Sequence, residues 1–192
     1  MLGLVAGIGF ASYALWHKAR KDEGDALTAE RKRLAASPGE DRSPTTIQIG
    51  DVVQHLGADF LVEGVVTFSE DGRGARLYRL FEDGGERFLY AKAGGSDPLL
   101  LAPAAITPEP SGGELPESLQ HAGFAYRQTA RAQASAIRVG QLGARKHSDR
   151  VRVFEYSGPG PARLLVVDWG DKLEAFAGER VLASALEILP AR

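Results

Sequence analysis

The 192-residue chain contains no cysteine and only four histidines. The missing cysteines exclude disulfide bridges, thiolate metal sites and cysteine nucleophiles. The histidines are His17, His55, His121 and His147, and they share none of the short spacings that recur in metal sites. We therefore expect neither a metal centre nor another cofactor.

The sequence motifs of common enzyme classes are missing as well. There is no G-x-S-x-G element and no phosphate-binding loop that ends in Gly-Lys-Ser or Gly-Lys-Thr. The Gly7-Ile-Gly9 sequence follows no strand, so it does not indicate a dinucleotide site. The glycine-rich stretches at 72–74, 84–85 and 94–95 are typical of hairpin turns that need a positive φ. We therefore expect a protein without enzymatic activity.

A surplus of charge of one sign is also absent. The chain has 23 basic and 25 acidic residues, which gives a formal net charge of −2. Proteins that bind nucleic acid usually carry a strongly basic patch, and none stands out here. We therefore expect no nucleic-acid partner.

The first sixteen residues carry no charged side chain, and a basic stretch follows them directly. As a helix they would rise roughly 24 Å, a little less than the ~30 Å hydrocarbon core of a bilayer. Tyr13 and Trp16 lie where interfacial aromatic residues belong, and Lys18, Arg20 and Lys21 can reach the lipid headgroups. The sequence predicts a single-pass membrane anchor that makes lipid the first partner of this chain.

Two other interpretations of this segment remain open. A cleaved signal peptide needs positive charge before its apolar run, whereas here the basic residues come after it. A buried core helix fits the short length, but the segment is apolar on every side and a charged stretch separates it from the later sequence. If it is an anchor, the basic excess predicts an inner-membrane protein whose C-terminal domain is cytoplasmic.

Small residues recur at every fourth position of the same segment, at Gly3, Gly7 and Ala11. Such a face lets two membrane helices approach closely, which predicts a homo-oligomer or a helical partner. The alternative is that these glycines have no special role, because glycine is common in membrane helices.

The whole chain divides by composition into five parts. The first two are the anchor at 1–17 and a charged stalk with a flexible linker at 18–45. β-forming residues alternate with glycine turns over 46–106 and again over 117–192, and a proline- and glycine-rich connector separates them at 107–116. This pattern predicts a mainly β protein with two small antiparallel lobes, barrel-like or curled, behind the membrane helix.

Candidate strands of the second lobe include 124–129 and 132–139. The second of them is rich in alanine and is ambiguous between strand and helix.

The two lobes share a weak internal similarity. The hairpin formed by 76–80 and 87–92 can be laid over the hairpin formed by 152–156 and 163–168. A duplicated β lobe would explain this match, and chance similarity between two ordinary hairpins is the alternative.

Several strand-and-turn patterns point to one known family. They are Ile49-Gly-Asp-Val-Val, Phe60-Leu-Val-Glu-Gly, Leu77-Tyr-Arg-Leu, Phe154-Glu-Tyr, Leu164-Leu-Val-Val-Asp-Trp and Glu174-Ala-Phe-Ala-Gly178. With them, residues 46–190 resemble a bacterial domain of unknown function, the one catalogued as forty-one seventy-eight. The family often shows a tryptophan in the first hairpin, where this chain has Leu77 and Tyr78.

The resemblance implies a small β domain without an assigned activity and without defined functional residues. It also implies genomic neighbours that encode small membrane proteins, spermidine-synthase-like proteins and phage-shock-like membrane-stress proteins.

The first functional hypothesis is a membrane-tethered cytoplasmic interaction module that binds a protein partner at the bilayer. Tethering raises the effective concentration of the module near membrane partners, and exposed edge strands offer a route to strand addition.

The alternative hypothesis is a sensor module that binds a small cationic, polyamine-like ligand between the lobes. Glu155, Asp168 and Glu174 would then supply negative charge. The competing interpretation of these three acids is simple solvent exposure opposite an apolar core face. A hydrolase, the third hypothesis, would need acids or histidines that converge in a pocket.

Overall fold

The computed structural model describes residues 42–70, 73–82, 84–94, 97–106, 114–142 and 148–191. The predicted anchor, most of the stalk and most of the connector lie outside these residues. Within the described ranges, no helix has the length and apolar character needed to span a bilayer.

The described residues form strands for most of their length, so the prediction of a mainly β protein is confirmed. The strands are β1 Val52–His55, β2 Ala58–Glu70, β3 Arg73–Glu82, β4 Gly85–Lys92, β5 Leu99–Ala104, β6 Ser118–His121, β7 Phe124–Gly140, β8 Ser148–Ser157, β9 Ala162–Asp168, β10 Leu173–Arg180 and β11 Glu187–Leu189.

The strands belong to one antiparallel sheet that closes on itself. Their order is β11-β1-β2-β3-β4-β5-β10-β9-β8-β7-β6, and β2 also pairs with β7. Strands β2 to β5 and β7 to β10 therefore form a closed eight-stranded barrel. The two expected lobes are the two halves of this barrel, rather than two separate sheets.

Closure of the barrel takes place where Gly64 on β2 lies opposite Gly140 on β7. A Cβ atom on Gly140 would lie 2.4 Å from the carbonyl oxygen of Glu63 and 2.8 Å from the Cα of Gly64. Gly140 also has a φ of +87°, which residues with a side chain rarely adopt. The pairing of β2 with β7 therefore requires glycine at this position.

The barrel interior is apolar because alternate residues of each strand point inward. On β9, for example, Leu165 and Val167 point inward while Leu164 and Val166 point outward. All eight barrel strands contribute to the interior cluster, which contains Val66, Phe68, Leu77, Phe88, Tyr90, Leu99, Leu101, Ala134, Ala136, Val151, Val153, Leu165, Val167, Trp169 and Phe176.

A second apolar cluster covers the outer face of β8 to β10. The segment before β6, β6 itself and the first residues of β7 supply Leu115, Leu119 and Tyr126, which pack with Phe154 and Tyr156. The fully buried Tyr156 hydroxyl donates a hydrogen bond to the carbonyl oxygen of Pro116, at 3.0 Å. Both faces of β9 are thus buried, which explains its nearly continuous apolar sequence.

The two barrel halves share one topology. β1 pairs with β2 just as β6 pairs with β7, and each pair is joined by a two-residue turn, Leu56-Gly57 or Ala122-Gly123. The φ angles are +50° and +83° in the first turn and +50° and +81° in the second, as in type I′ hairpins. This equivalence is what the duplication hypothesis requires, and the hypothesis itself stays a prediction.

A buried carboxylate ties the two ends of the described chain together. Asp51 is fully buried and accepts hydrogen bonds from the backbone nitrogens of Gln48, at 2.7 Å, and Ala191, at 3.0 Å. Its Oδ2 also lies 3.3 Å from Nε of Arg42. Asp51 therefore fixes the entry into β1 against the residues that follow β11.

Substitution of Gly140 by alanine is expected to lower the free energy of unfolding by about 2–4 kcal/mol, because the new Cβ meets backbone atoms at a positive φ. Gly84→Ala is the matched control, since a Cβ there has nothing within 4 Å. Urea denaturation of the full chain, followed by circular dichroism, measures both variants. Equal midpoints for the two would contradict the role given to Gly140.

Alkaline pH is expected to weaken the second apolar cluster through Tyr156. Burial raises the pKa of Tyr156 to about 12, above its ordinary value of 10.0. In the unfolded chain the Tyr156 phenol loses its proton at lower pH than in the folded chain. The contribution of Tyr156 to the free energy of unfolding is therefore complete below pH 10 and is lost as the pH rises towards 12. Tyr156→Phe should cost about 1 kcal/mol at pH 7, through the lost hydrogen bond. The difference in the free energy of unfolding between Tyr156→Phe and the unmodified chain should then shrink above pH 10.

Urea midpoints across this pH range measure that difference. Phe154→Leu, a substitution in the same cluster without a titrating group, should differ from the unmodified chain by the same amount at every pH. A constant difference for Tyr156→Phe as well would contradict the prediction.

Candidate ligand-binding cavity

The interior cluster does not fill the barrel completely, and a cavity of about 730 Å³ lies at one end. Its apolar floor consists of Val66, Leu77, Phe88 and Phe176, which belong to the interior cluster. The rings of Phe88 and Phe176 contact each other with centroids 4.7 Å apart. This volume lies within the ~300–1,000 Å³ that is typical of small-molecule pockets.

One wall of the cavity is formed by Trp169, Arg138, Lys172 and Glu174, which we call the Trp169 cluster. The guanidinium carbon of Arg138 lies 3.7 Å from the centroid of the Trp169 ring. Glu174 accepts hydrogen bonds from Nε1 of Trp169, at 2.9 Å, and from Nζ of Lys172, at 3.5 Å. Its Oε2 is also 4.0 Å from Nη2 of Arg138. A single carboxylate is thus shared by two cations around one indole ring.

The facing wall is organised by Arg79 on β3. Its guanidinium donates to Glu86 through Nε, and its Nη1 lies 3.0 Å from Oε2 of Glu63. Nη1 also donates to the carbonyl oxygen of Gln141, at 2.8 Å. Arg79 therefore bridges two carboxylates and fixes the chain that follows β7.

A smaller cavity, of about 420 Å³, has Tyr90, Lys92 and Glu155 in its lining. Nζ of Lys92 donates to both oxygens of Glu155, at 2.8 and 3.1 Å, and the Tyr90 hydroxyl donates at 3.2 Å. Burial, and secondly the charge of Glu155, raises the pKa of Tyr90 above its ordinary value. The phenol therefore acts here as a neutral hydrogen-bond donor to a carboxylate that already has a lysine partner.

The three carboxylates of the predicted cationic-ligand site do not share one cavity. Glu174 lines the larger cavity and Glu155 the smaller one. Asp168 points to the outer face, where it accepts hydrogen bonds from Arg152, at 2.9 Å through Nε, and from the backbone nitrogen of Gly170, at 2.8 Å. Each of the three carboxylates has a basic neighbour, which is Lys92 for Glu155, Arg152 for Asp168 and Lys172 for Glu174.

The other predicted site residues lie outside the described residues. They are the membrane-interface residues Tyr13, Trp16, Lys18, Arg20 and Lys21 and the helix-packing residues Gly3, Gly7 and Ala11.

Within the described part of the chain, no group of three or more acidic or histidine residues is placed to hold a metal ion. His55 and His121 each end the strand that precedes one of the two type I′ turns. The described lining of the larger cavity includes no serine, threonine or histidine.

The basic residues of the cavity are the feature that the sequence patterns missed. Arg138 lies in the alanine-rich stretch that was ambiguous between strand and helix. As a strand, this stretch places Ala134, Ala136 and Arg138 on one face, and the first two belong to the barrel interior. The spacing of two residues from Ala134 and Ala136 to Arg138 could therefore have indicated that Arg138 faces the barrel interior.

The family model described as Domain of unknown function (DUF4178) matches residues 48–183, which include ten of the eleven strands. No curated protein and no solved structure matches the chain. The family description names no activity, ligand or partner. Because the match spans well over half of the sequence, this chain belongs to the DUF4178 family.

Proposed function

We propose that this protein binds one small amphipathic molecule in the open end of its barrel. The observation that supports the proposal is the 730 Å³ cavity, with its apolar floor and its two charged walls. A closed barrel of eight strands is wide enough to hold one small ligand. The apolar part of the molecule would displace water from the floor, and the charged walls would fix its orientation.

Strand addition by a protein partner receives less support. Because β2 pairs with β7, the described sheet ends only at β6 and β11, which have four and three residues. Strands this short offer few backbone groups to an incoming strand. We therefore rank ligand binding above the interaction module.

A polyamine-like ligand also fits the larger cavity poorly. The lining carboxylates Glu86 and Glu174 already have arginine or lysine partners. The Trp169 ring, which could attract an organic cation, is covered by the guanidinium of Arg138. The charges of the described lining thus disfavour a cationic ligand.

We further propose that binding involves no covalent step and takes place at the cytoplasmic face of the inner membrane. The uncharged residues 1–16 and the basic residues that follow them support this location. An anchor would hold the barrel near molecules that partition into the bilayer, which raises their effective concentration. Self-association through the predicted helix face would increase the number of cavities in one assembly.

A neutral brominated probe tests the binding proposal, because the chain has only two tryptophans and one of them lines the cavity. The full chain with the substitution Trp16→Phe is placed in lipid nanodiscs, so that Trp169 is its only tryptophan. ω-Bromoundecanol should quench Trp169 saturably, since bromine quenches an indole ring on contact. Ala105→Phe narrows the cavity and should weaken binding about tenfold, as one partly lost apolar contact would.

Ala125→Phe is the matched control, because Ala125 is also exposed but lies on β7, away from the described cavity lining. It should leave the quenching curve unchanged. Quenching that never saturates, or that is equal in both alanine variants, would rule out the cavity as the binding site.

Membrane attachment is a separate prediction. Carbonate washing should leave the full chain in the membrane pellet, because an apolar helix of this kind is not extracted by high pH. Protease added outside intact cells should leave the β domain uncut. Digestion of that domain from outside would contradict the proposed orientation.

A further inference from the structure

We infer that the hairpin formed by β1 and β2, together with the neighbouring end of β3, contacts the lipid bilayer. Leu56, at the tip of this hairpin, inserts among the lipids. The contact surface borders the larger cavity, so the inference rests on the proposed function and adds the phase from which the ligand enters.

Four apolar side chains form a row across neighbouring strands. Residues that lie directly opposite each other in antiparallel strands have their side chains on the same face of the sheet. Leu189 lies opposite Val52, Val52 opposite Leu61, and Leu61 opposite Phe81. Leu61 is 43% exposed and Phe81 is 45% exposed. These four residues, which we call the apolar row, form the kind of contiguous exposed patch that marks an interaction surface.

The tip of the same hairpin is also apolar. Leu56 is 89% exposed and has a φ of +50°, a conformation that residues with a side chain rarely adopt. In a type I′ turn this position is normally occupied by asparagine, aspartate or glycine. Strained positions of this kind are concentrated at functional sites. The described domain gains little from a leucine here, whereas an apolar phase outside the domain would stabilise it.

The hairpin formed by β6 and β7 shows that the fold does not require these apolar residues. Its turn follows Gln120-His121, just as the first turn follows Gln54-His55, and Phe60 and Tyr126 are buried at equivalent positions. The exposed Phe124 lies on the same face of β7 as Tyr126. At three other positions the β1–β2 hairpin has Val52, Leu56 and Leu61 where the β6–β7 hairpin has Ser118, Ala122 and Arg127.

The point at which the chain enters the described domain favours a bilayer as the occupant of this surface. Arg42 contacts Asp51, and Asp51 directly precedes Val52 of the apolar row. Residues 17–41 separate Arg42 from the uncharged residues 1–16. With residues 1–16 in a bilayer, as proposed, a linker of this length keeps the apolar row near lipid at a high effective concentration, so a weak apolar contact is enough.

The apolar row borders the larger cavity through Phe81. Glu86 lies opposite Phe81 on β4, and Arg79 lies two residues before Phe81 on β3, and both of them line the cavity. Arg79 contacts the carboxylates of both Glu63 and Glu86, so this group is not a basic patch. The contact with lipid therefore depends on apolar area and needs neither anionic lipid nor low salt.

The absence of cysteine allows a fluorophore to be attached at one chosen position. The full chain is placed in phosphatidylcholine nanodiscs that contain a doxyl-labelled lipid, and quenching of a nitrobenzoxadiazole label measures contact with lipid. Asp59→Cys carries the label in the β1–β2 hairpin, and Ala125→Cys carries it at the equivalent position of the β6–β7 hairpin. The label at position 59 should be quenched several-fold more strongly, and added salt should not reduce this quenching.

Leu56→Asn separates contact with lipid from stability. Asparagine is favoured in a type I′ turn, so the urea midpoint should rise, whereas the ratio of docked to undocked chains should fall about tenfold with the loss of one apolar side chain. Ala122→Asn is the matched control, because Ala122 also has a φ of +50°. It should raise the midpoint and leave the quenching at position 59 unchanged. Leu61→Arg should weaken the contact as well.

Equal quenching of the two labels, in discs that retain the full chain, overturns the inference and leaves the cavity, which the brominated probe tests, standing. Energy transfer between labels at position 59 without quenching by lipid assigns the apolar row to a second copy of the chain and also overturns the inference. Loss of the full chain from the discs overturns both the inference and the proposed membrane location.

Discussion

The pairing of β2 with β7 is the constraint on which the rest of the structure depends. At Gly64 and Gly140 the two backbones approach so closely that a Cβ on either residue would meet neighbouring atoms. Directly after this contact, the nitrogen of Gln141 donates to the carbonyl oxygen of Glu63, and Leu142 packs against Gly64. The contact that closes the barrel therefore also builds a wall of the cavity.

Local sequence predicted most of the strands and their barrel-like arrangement, but not that both lobes form one closed barrel. The apolar run of β9 and the glycine turns indicated a β protein because they act within a few residues. The stretches 124–129 and 132–139, predicted as separate strands, are one long strand, β7, that pairs with β6, β8 and β2 in turn. The partner β2 lies far away in the sequence, so no local pattern could show that β7 joins both halves.

The cavity was harder to predict for the same reason. Glu174 has Lys172 as a near neighbour, but the partner of Glu155 is Lys92, on the other half of the barrel. Grouping acids by hairpin therefore placed together side chains that line different cavities or, for Asp168, point outward. Arg138 was missed because its stretch was ambiguous between strand and helix, and only a strand places it on one face together with both Ala134 and Ala136.

The burial of Asp51 has a mechanical consequence. Its contacts with Arg42 and with the nitrogen of Ala191 join the start of the described domain to its last residues. Tension applied from the N-terminal side would reach this junction first, and the short strand β11, held beside β1, would share the load. A force on the start of the described domain would thus load β1 and β11 first, and the eight strands around the cavity would carry less of it.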